Sequence, residues 1–331
     1  MAAVGICGTD LHQVNGEFRR PTPMVLGHEG AGVIVGVGTD VERVSVGDEV
    51  VLSWAPSCGS CADCRRGRPA ACAPLHGAIG AGTLVDGTTG MSLGGATVYR
   101  GTATGCLAEQ VVVSERVALP IGPGIPLREA ALLGCAALTG VGAVLHAARV
   151  GAGSSVLIVG AGAVGQFAVQ GARIAGAGAI VAVDPLEGRR AQALRVGATH
   201  VFSPEDAGEG LATIAPDGMD FGFDAVGDPA TTETTLGYTR SGGTAVIVGL
   251  PAVGRRLDLD PAQFVRREKS LTGTMYGSED PAVALPVLLQ HVRDGRLDLA
   301  SLVGPVYPLD AVDEAVAASL AGSPGRVLVV P

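Results

Sequence analysis

From Ser155 to Val159 the chain is apolar and β-branched, and a second such run covers Ala179 to Val183. Between them Val164, Phe167, Ala168, Gly171, Ala172 and Ala175 recur three and four residues apart, the spacing of one helical face. Gly176 and Gly178 end that pattern. Two further apolar stretches, residues 220–226 and 244–248, each run into glycine. Strands alternating with a helix predict an α/β domain built on a doubly wound parallel sheet. The longest uncharged run, residues 130–148, approaches the length of a membrane span. It carries Cys135, Thr139 and His146, polar groups that a protein interior can pair and a bilayer cannot, so it predicts a buried segment.

Length adds a second domain, since 331 residues exceed the roughly 150 that one domain typically uses. Glycine (51) and proline (20) are abundant but without period, and 47% hydrophobic content excludes both collagen and disorder. A net charge of -9 repels phosphate backbones and anionic lipid, so neither nucleic acid nor a membrane is the expected partner. A small molecule is. The start, MAAVGICGTD, places no Lys or Arg ahead of an apolar stretch, so no export signal is read and a cytoplasmic protein is expected.

Four of the seven cysteines, Cys58, Cys61, Cys64 and Cys72, stand in one short segment with C-x2-C-x2-C-x7-C spacing. Four thiolates on a loop can occupy all four corners around Zn²⁺, a closed structural site, with Arg65, Arg66 and Arg68 offsetting its negative charge. The plainer alternatives are a Cys-rich loop or two disulfides. Cys7, His28 and Cys135 are scattered, and each alone reads as a small buried residue. Together they make two thiolates and an imidazole, a set that neutralises zinc and leaves one position open for chemistry. Two Zn²⁺ per chain are therefore expected. Cys106 reads as structural.

The strand at Ser155–Val159 ends in Gly160-Ala161-Gly162-Ala163-Val164-Gly165, and an acid, Asp184, ends the next strand. Gly160 permits the tight turn, Gly162 lets a pyrophosphate approach the backbone, and Gly165 allows close helix packing. Asp184 is expected on the adenosine ribose hydroxyls, where a carboxylate repels a 2'-phosphate and selects NAD over NADP. Arg189 either lies near that ribose or is a solvated helix cation.

With these pieces in place the chain resembles the zinc-containing medium-chain alcohol dehydrogenases along nearly its whole length. The motifs that carry the resemblance are GICGTDLH, GHEGAG, the four-Cys lobe, LLGCAALTG, VGAGAVG with Asp184, VIVGLP and GRVLVV. The resemblance implies a GroES-like catalytic domain over 1–136 with the zinc lobe at 58–72. It further implies an NAD-binding Rossmann domain over 137–275, a return to the catalytic domain over 276–331, and an active-site cleft between the two. It puts catalytic zinc on Cys7, His28 and Cys135, Glu29 behind the metal as an exchange ligand, and Asp10 on the His28 imidazole. Asp10 also reads as a helix cap. Thr9 and His12 resemble the family's proton relay, which reaches solvent through the cofactor ribose. Thr139, Val164, Val248 and Leu250 would touch the cofactor, and Arg326 would clamp its pyrophosphate.

Phe18 and Trp54 fall where the family lines its substrate channel, and two bulky rings there favour primary alcohols, oxidised to aldehydes, the plain alternative being that both are core residues. Glu17 is the single acid nearby, which disfavours thiol-adduct substrates. The stretch after Cys72 resembles the insertion of the dimeric branch, so a homodimer is expected. The alternatives are a polyol or sugar dehydrogenase of the same superfamily and a non-catalytic NAD-binding protein. Family members carry a few dozen residues, folded as strands, ahead of the first zinc cysteine. Here that cysteine is residue 7, so either the start is placed too late or the chain is shortened, and a shortened chain is expected to leave a free sheet edge beside the active site.

Overall fold

In a computed structural model that describes residues 1–331, Ser155–Val159 and Ala179–Val183 are neighbouring parallel strands joined by helix Ala163–Ile174. They belong to a six-stranded sheet in the order His200–Phe202, Ala179–Val183, Ser155–Val159, Met219–Asp224, Thr239–Ile247, Ser270–Gly273, every neighbouring pair parallel. In chain order that is third, second, first, fourth, fifth, sixth, so the winding reverses beside the first strand, where such sheets bind nucleotides. Val156, Leu157 and Ile158 are consecutive and all fully buried, which requires cover on both faces of the sheet and explains why the run does not alternate. The helix lays Phe167, Ala168 and Ala172 into that cover, and a Cβ on Gly171 would come within 3.1 Å of Val141 Cα.

Two strands start earlier than the apolar runs indicate, at Met219 and Thr239 rather than at 220 and 244. The pairing shifts register between Met219 and Phe221, so the polar residues at 240–243 continue the strand past its apolar part.

The first unit is built on a mixed six-stranded sheet in the order Val303–Pro308, Arg326–Val330, Ala3–Gly5, Glu29–Val33, Glu49–Leu52, Ala118–Pro120. Val4, Val50, Leu52, Val117, Ala118 and Cys106 form one of its cores, and Cys106 acts there as a small apolar residue. The expected free edge is corrected here. The strand that leads to Cys7 pairs antiparallel on both sides, Val4 opposite Val329 and Val4 opposite Gly30, and the sheet's edges are Val303–Pro308 and Ala118–Pro120.

The units comprise Met1–Leu138, Glu279–Gly295 and Leu299–Pro331 in one, and Thr139–Ser278 with Arg296–Asp298 in the other. Arg296–Asp298 joins the parallel-sheet unit through hydrogen bonds of Gln170 with the Asp298 backbone (2.9 and 2.7 Å) and of Arg173 Nη2 with the Arg296 carbonyl (2.6 Å). No single helix is long and apolar enough to cross a membrane. The apolar run at 130–148 is instead broken at Cys135, between the short helical turns Ala131–Gly134 and Ala136–Gly142.

Candidate functional site

Three separate backbone features bring Cys7, His28 and Cys135 together. Cys7 ends the segment that follows strand Ala3–Gly5 and is the N-cap of helix Gly8–Val14. His28 immediately precedes strand Glu29–Val33, and Cys135 occupies the helix break with φ -146° and ψ -68°. Their ligand atoms all lie within 4.8 Å of one another, and all three residues are buried. Asp10 ties the first two segments together. Its Oδ2 accepts from the Cys7 N–H (3.0 Å), while Oδ1 accepts from the Gly27 N–H (3.1 Å) and faces His28 Nδ1 at 3.1 Å. Asp10 is thus the third residue of the helix reaching back to the N-cap, so capping and histidine orientation are done by one carboxylate.

The charges at this centre suit a divalent cation. The Cys135 thiol donates to Cys7 and, with help from Arg326 and His28 and against burial, holds the Cys7 thiol well below its usual range. Cys135 is pushed well above its own by the same bond and by burial. Burial opposes charge on His28, yet the Asp10 carboxylate overrides it and raises the imidazole well above its ordinary value. Two buried sulfurs sharing a proton, beside an imidazole polarised by a carboxylate, form a donor set that could hold zinc through two thiolates and a nitrogen. Because Asp10 faces Nδ1, the Nε2 lone pair is the one left for the metal. Asp10→Asn is expected to weaken zinc affinity about 10- to 100-fold, read by chelator competition, since an amide cannot accept from every N–H that the carboxylate now serves.

Next to the three candidate ligands, buried Glu29 is gripped by Arg326, with Nη2 donating to Oε2 at 3.0 Å and Nε 2.7 Å from Oε1. The Ala136 N–H donates to Oε2 at 3.1 Å. Burial pushes the Glu29 carboxyl up to about 7 against the pull of the guanidinium. Arg326 also donates from Nη1 to the Ile6 carbonyl (2.9 Å), so both of its terminal nitrogens are engaged within this unit. This engagement with Glu29 is absent from the sequence reading, which assigns Arg326 to a pyrophosphate. The partners are 297 positions apart, and no local pattern marks them.

Thr9 lies in the first turn of the helix that Cys7 caps, partly buried, and His12 lies one turn further on. The His12 ring is 5.0 Å from that of Phe18, tilted by 37°, and Nδ1 meets Glu17 Oε2. Trp54 stands edge-on to His28 at 6.1 Å. Each of the two rings expected in a substrate channel therefore rests on one of the site histidines. Trp54 also forms a wall of a cavity of about 560 Å³ whose apolar lining includes Leu75, Leu84, Val85, Val112 and Val113.

Cys58, Cys61, Cys64 and Cys72 form a second cluster, again with all sulfurs within 4.8 Å. None forms a disulfide, and gaps of 3.5 and 3.9 Å between sulfurs are far beyond bond length. Backbone N–H groups of Ser60 and Cys61 hold the Cys58 thiol down to about 6, a readiness for thiolate that a metal exploits.

In the parallel-sheet unit Gly160 adopts φ +90°, and a Cβ there would lie 2.6 Å from Val226 Cγ2. A Cβ on Gly165 would lie 1.9 Å from the Gly160 carbonyl oxygen, whereas one on Gly162 would meet nothing within 4 Å. The turn is closed on its protein side and open at Gly162, the helix N-cap, where unpaired N–H groups suit an anion. Asp184 braces this turn, Oδ2 accepting from the Ala161 N–H (2.8 Å) and Oδ1 from the Leu186 N–H (2.9 Å), with Arg189 Nη1 3.7 Å away. Thr139 is buried next to Gly140, whose Cβ would lie 2.3 Å from the Val164 carbonyl, so both belong to the surroundings of the glycine turn. Val164 and Val248 are half-buried, and Leu250 is exposed.

Residues 1–123 match the alcohol dehydrogenase GroES-like domain and residues 163–290 the zinc-binding dehydrogenase domain. The chain is 35% identical over 324 residues to alcohol dehydrogenase B of Mycobacterium tuberculosis, covering 95% of this chain and 85% of that protein. It is 32% identical over 317 residues to S-(hydroxymethyl)glutathione dehydrogenase of Synechocystis sp., covering 94% and 86%. The crystal structure of benzyl alcohol dehydrogenase from Acinetobacter calcoaceticus superposes with a TM-score of 0.93 at 30% identity, covering 99% of this chain and 90% of that one.

Proposed function

Because the chain belongs to the zinc-containing medium-chain alcohol dehydrogenase family, and is a zinc-dependent oxidoreductase of alcohols, we propose that it oxidises primary alcohols to aldehydes with NAD. The observation that carries this reading is the convergence of Cys7, His28 and Cys135 within 4.8 Å. These three would hold the catalytic zinc, and Cys58, Cys61, Cys64 and Cys72 the structural one. Zinc, when bound, acidifies the hydroxyl of an alcohol, and NAD, when bound, accepts hydride.

The chain's own residues do the rest. Cys7 and Cys135 balance the ionic charge, and Asp10 orients His28 for it. Thr9 accepts the alcohol proton through its hydroxyl and His12 carries it away. Arg326 keeps Glu29 in reserve as an exchange ligand. The turn at Gly160, Gly162 and Gly165, with Thr139 and Val164 beside it, would seat the dinucleotide, and Val248 and Leu250 would flank its nicotinamide. Asp184 favours NAD by repelling a 2'-phosphate, with Arg189 softening that exclusion.

Trp54 against His28 and Phe18 against His12 exclude volume that a secondary alcohol needs, and an apolar cavity adjoins Trp54. Glu17, the one acid that a thiol adduct could use here, is engaged by His12. A homodimer in the cytoplasm completes the reading.

Metal analysis together with an alcohol panel followed by NADH formation tests it. About two zinc per chain and a preference of roughly 10- to 200-fold for primary over secondary alcohols are expected. Polyols oxidised as fast as primary alcohols would establish the polyol reading instead. One zinc or none, without turnover, would leave a non-catalytic NAD-binding protein.

A further inference from the structure

We propose that Glu17 is the positioning residue of His12, holding the hydrogen of the imidazole on Nδ1 and so leaving Nε2 as its open acceptor. The local fold builds this pair. Helix Gly8–Val14 ends at Asn15, and Gly16, at φ +70°, turns the chain back on itself. The Glu17 N–H then donates to the His12 carbonyl at 2.9 Å and the Phe18 N–H reaches the same oxygen at 3.4 Å. That return lays Glu17 Oε2 against His12 Nδ1 and the Phe18 ring against the imidazole. Asn15 Nδ2 donates to the other carboxylate oxygen at 3.4 Å.

The bond from His12 is also the main reason that the Glu17 carboxyl titrates below its ordinary value. A carboxylate has no hydrogen to give, so the one in this bond belongs to Nδ1, and the neutral ring must keep its lone pair on Nε2. A free imidazole prefers the opposite tautomer. Glu17 thus acts on the ring edge and Phe18 on the ring face, and together they fix which nitrogen is basic and where it stands. A half-exposed pair of this kind adds little to folding, so its value lies in that orientation.

The consequence for turnover rests on the reading of His12 as the proton relay; the tautomer does not. The zinc- and NAD-replete protein, labelled with ¹⁵N, is compared with its Glu17→Ala, Glu17→Gln and His12→Gln variants by NMR. The signal lost in His12→Gln identifies His12 among the six histidines. The wild type is expected to show the Nδ1–H form, and Glu17→Ala the Nε2–H form. Glu17→Gln, whose amide oxygen still accepts, should retain Nδ1–H. The melting temperature should not move. In Glu17→Ala kcat is expected to fall about tenfold or more with KM for the alcohol unchanged.

An Nε2–H tautomer in the wild type, or the same tautomer in wild type and Glu17→Ala, overturns the proposal. If the tautomer changes as expected while Glu17→Ala and His12→Gln both turn over at the wild-type rate, Glu17 does position the ring and it is the relay reading that fails.

Discussion

Cys135→Ala is expected to lower kcat/KM for primary alcohols by roughly three orders of magnitude or more, while NADH still binds. The reason is geometric. Cys135 presents its sulfur only because the apolar run breaks there, so that Ala131–Gly134 and Ala136–Gly142 point the residue between them at Cys7 and His28. Without that sulfur the centre keeps one thiolate and one imidazole, and the ion loses a charged ligand in a site with almost no solvent to replace it. Lewis-acid stabilisation of developing charge is worth several kcal/mol, and about 1.4 kcal/mol is a factor of ten, which sets the expected loss. Zinc should fall from about two to about one per chain, since the four-Cys lobe is untouched. The glycine turn belongs to the other unit, so NADH titration followed by its fluorescence should be unchanged. A variant that turns over at the wild-type rate, or that keeps both ions, would remove the basis for placing the reaction at this centre.

What could be read from the chain follows from how local each determinant is. Strands Ser155–Val159 and Ala179–Val183 are legible because a sheet covered on both faces makes its central strands continuously apolar. The glycine turn is legible because Gly160 and Gly165 answer local steric demands, most severely Gly165 against the Gly160 carbonyl. The four-Cys lobe is legible because its ligands share one short segment. Cys7, His28 and Cys135 are different. Their residue types suggest a metal, but only order and motif resemblance group them, since nothing local links position 7 to position 135. Arg326 on Glu29 lies beyond local pattern entirely, as does the sheet order that covers both sides of Ala3–Gly5. The two-residue excursion of the first unit to Leu138 reflects helix Ala136–Gly142, which runs through the expected boundary without a break in its apolar pattern. Glu17 on His12 is the instructive miss. The pair is only five residues apart, yet it depends on a left-handed Gly16 that composition does not reveal.

Cys64→Ser is expected to open the four-Cys lobe to trypsin, with cleavage after Arg65 or Arg66 at least about a hundredfold faster than in the zinc-loaded wild type. Within residues 58–72 only Pro69 and Cys72 are buried, and the helical pieces are just Ala62–Arg65 and Pro69–Ala71. Such a segment has no apolar core with which to offset the entropy of ordering its backbone. The sulfur cluster is what remains, so ion binding and local folding would be the same event. Serine removes a thiolate while preserving size, and exposed Arg65 and Arg66 become cleavable once the backbone can enter a protease, whereas Pro69 protects the bond after Arg68. Chelator treatment of the wild type should reproduce the nicking pattern, and added zinc should reverse it in the wild type but not in the variant. The proposed centre at Cys7, His28 and Cys135 uses none of these sulfurs, so freshly prepared Cys64→Ser should keep one zinc and measurable turnover before cleavage. Equal resistance of the variant and the loaded wild type would mean that the lobe folds on side-chain packing alone, and the four cysteines would then need another explanation.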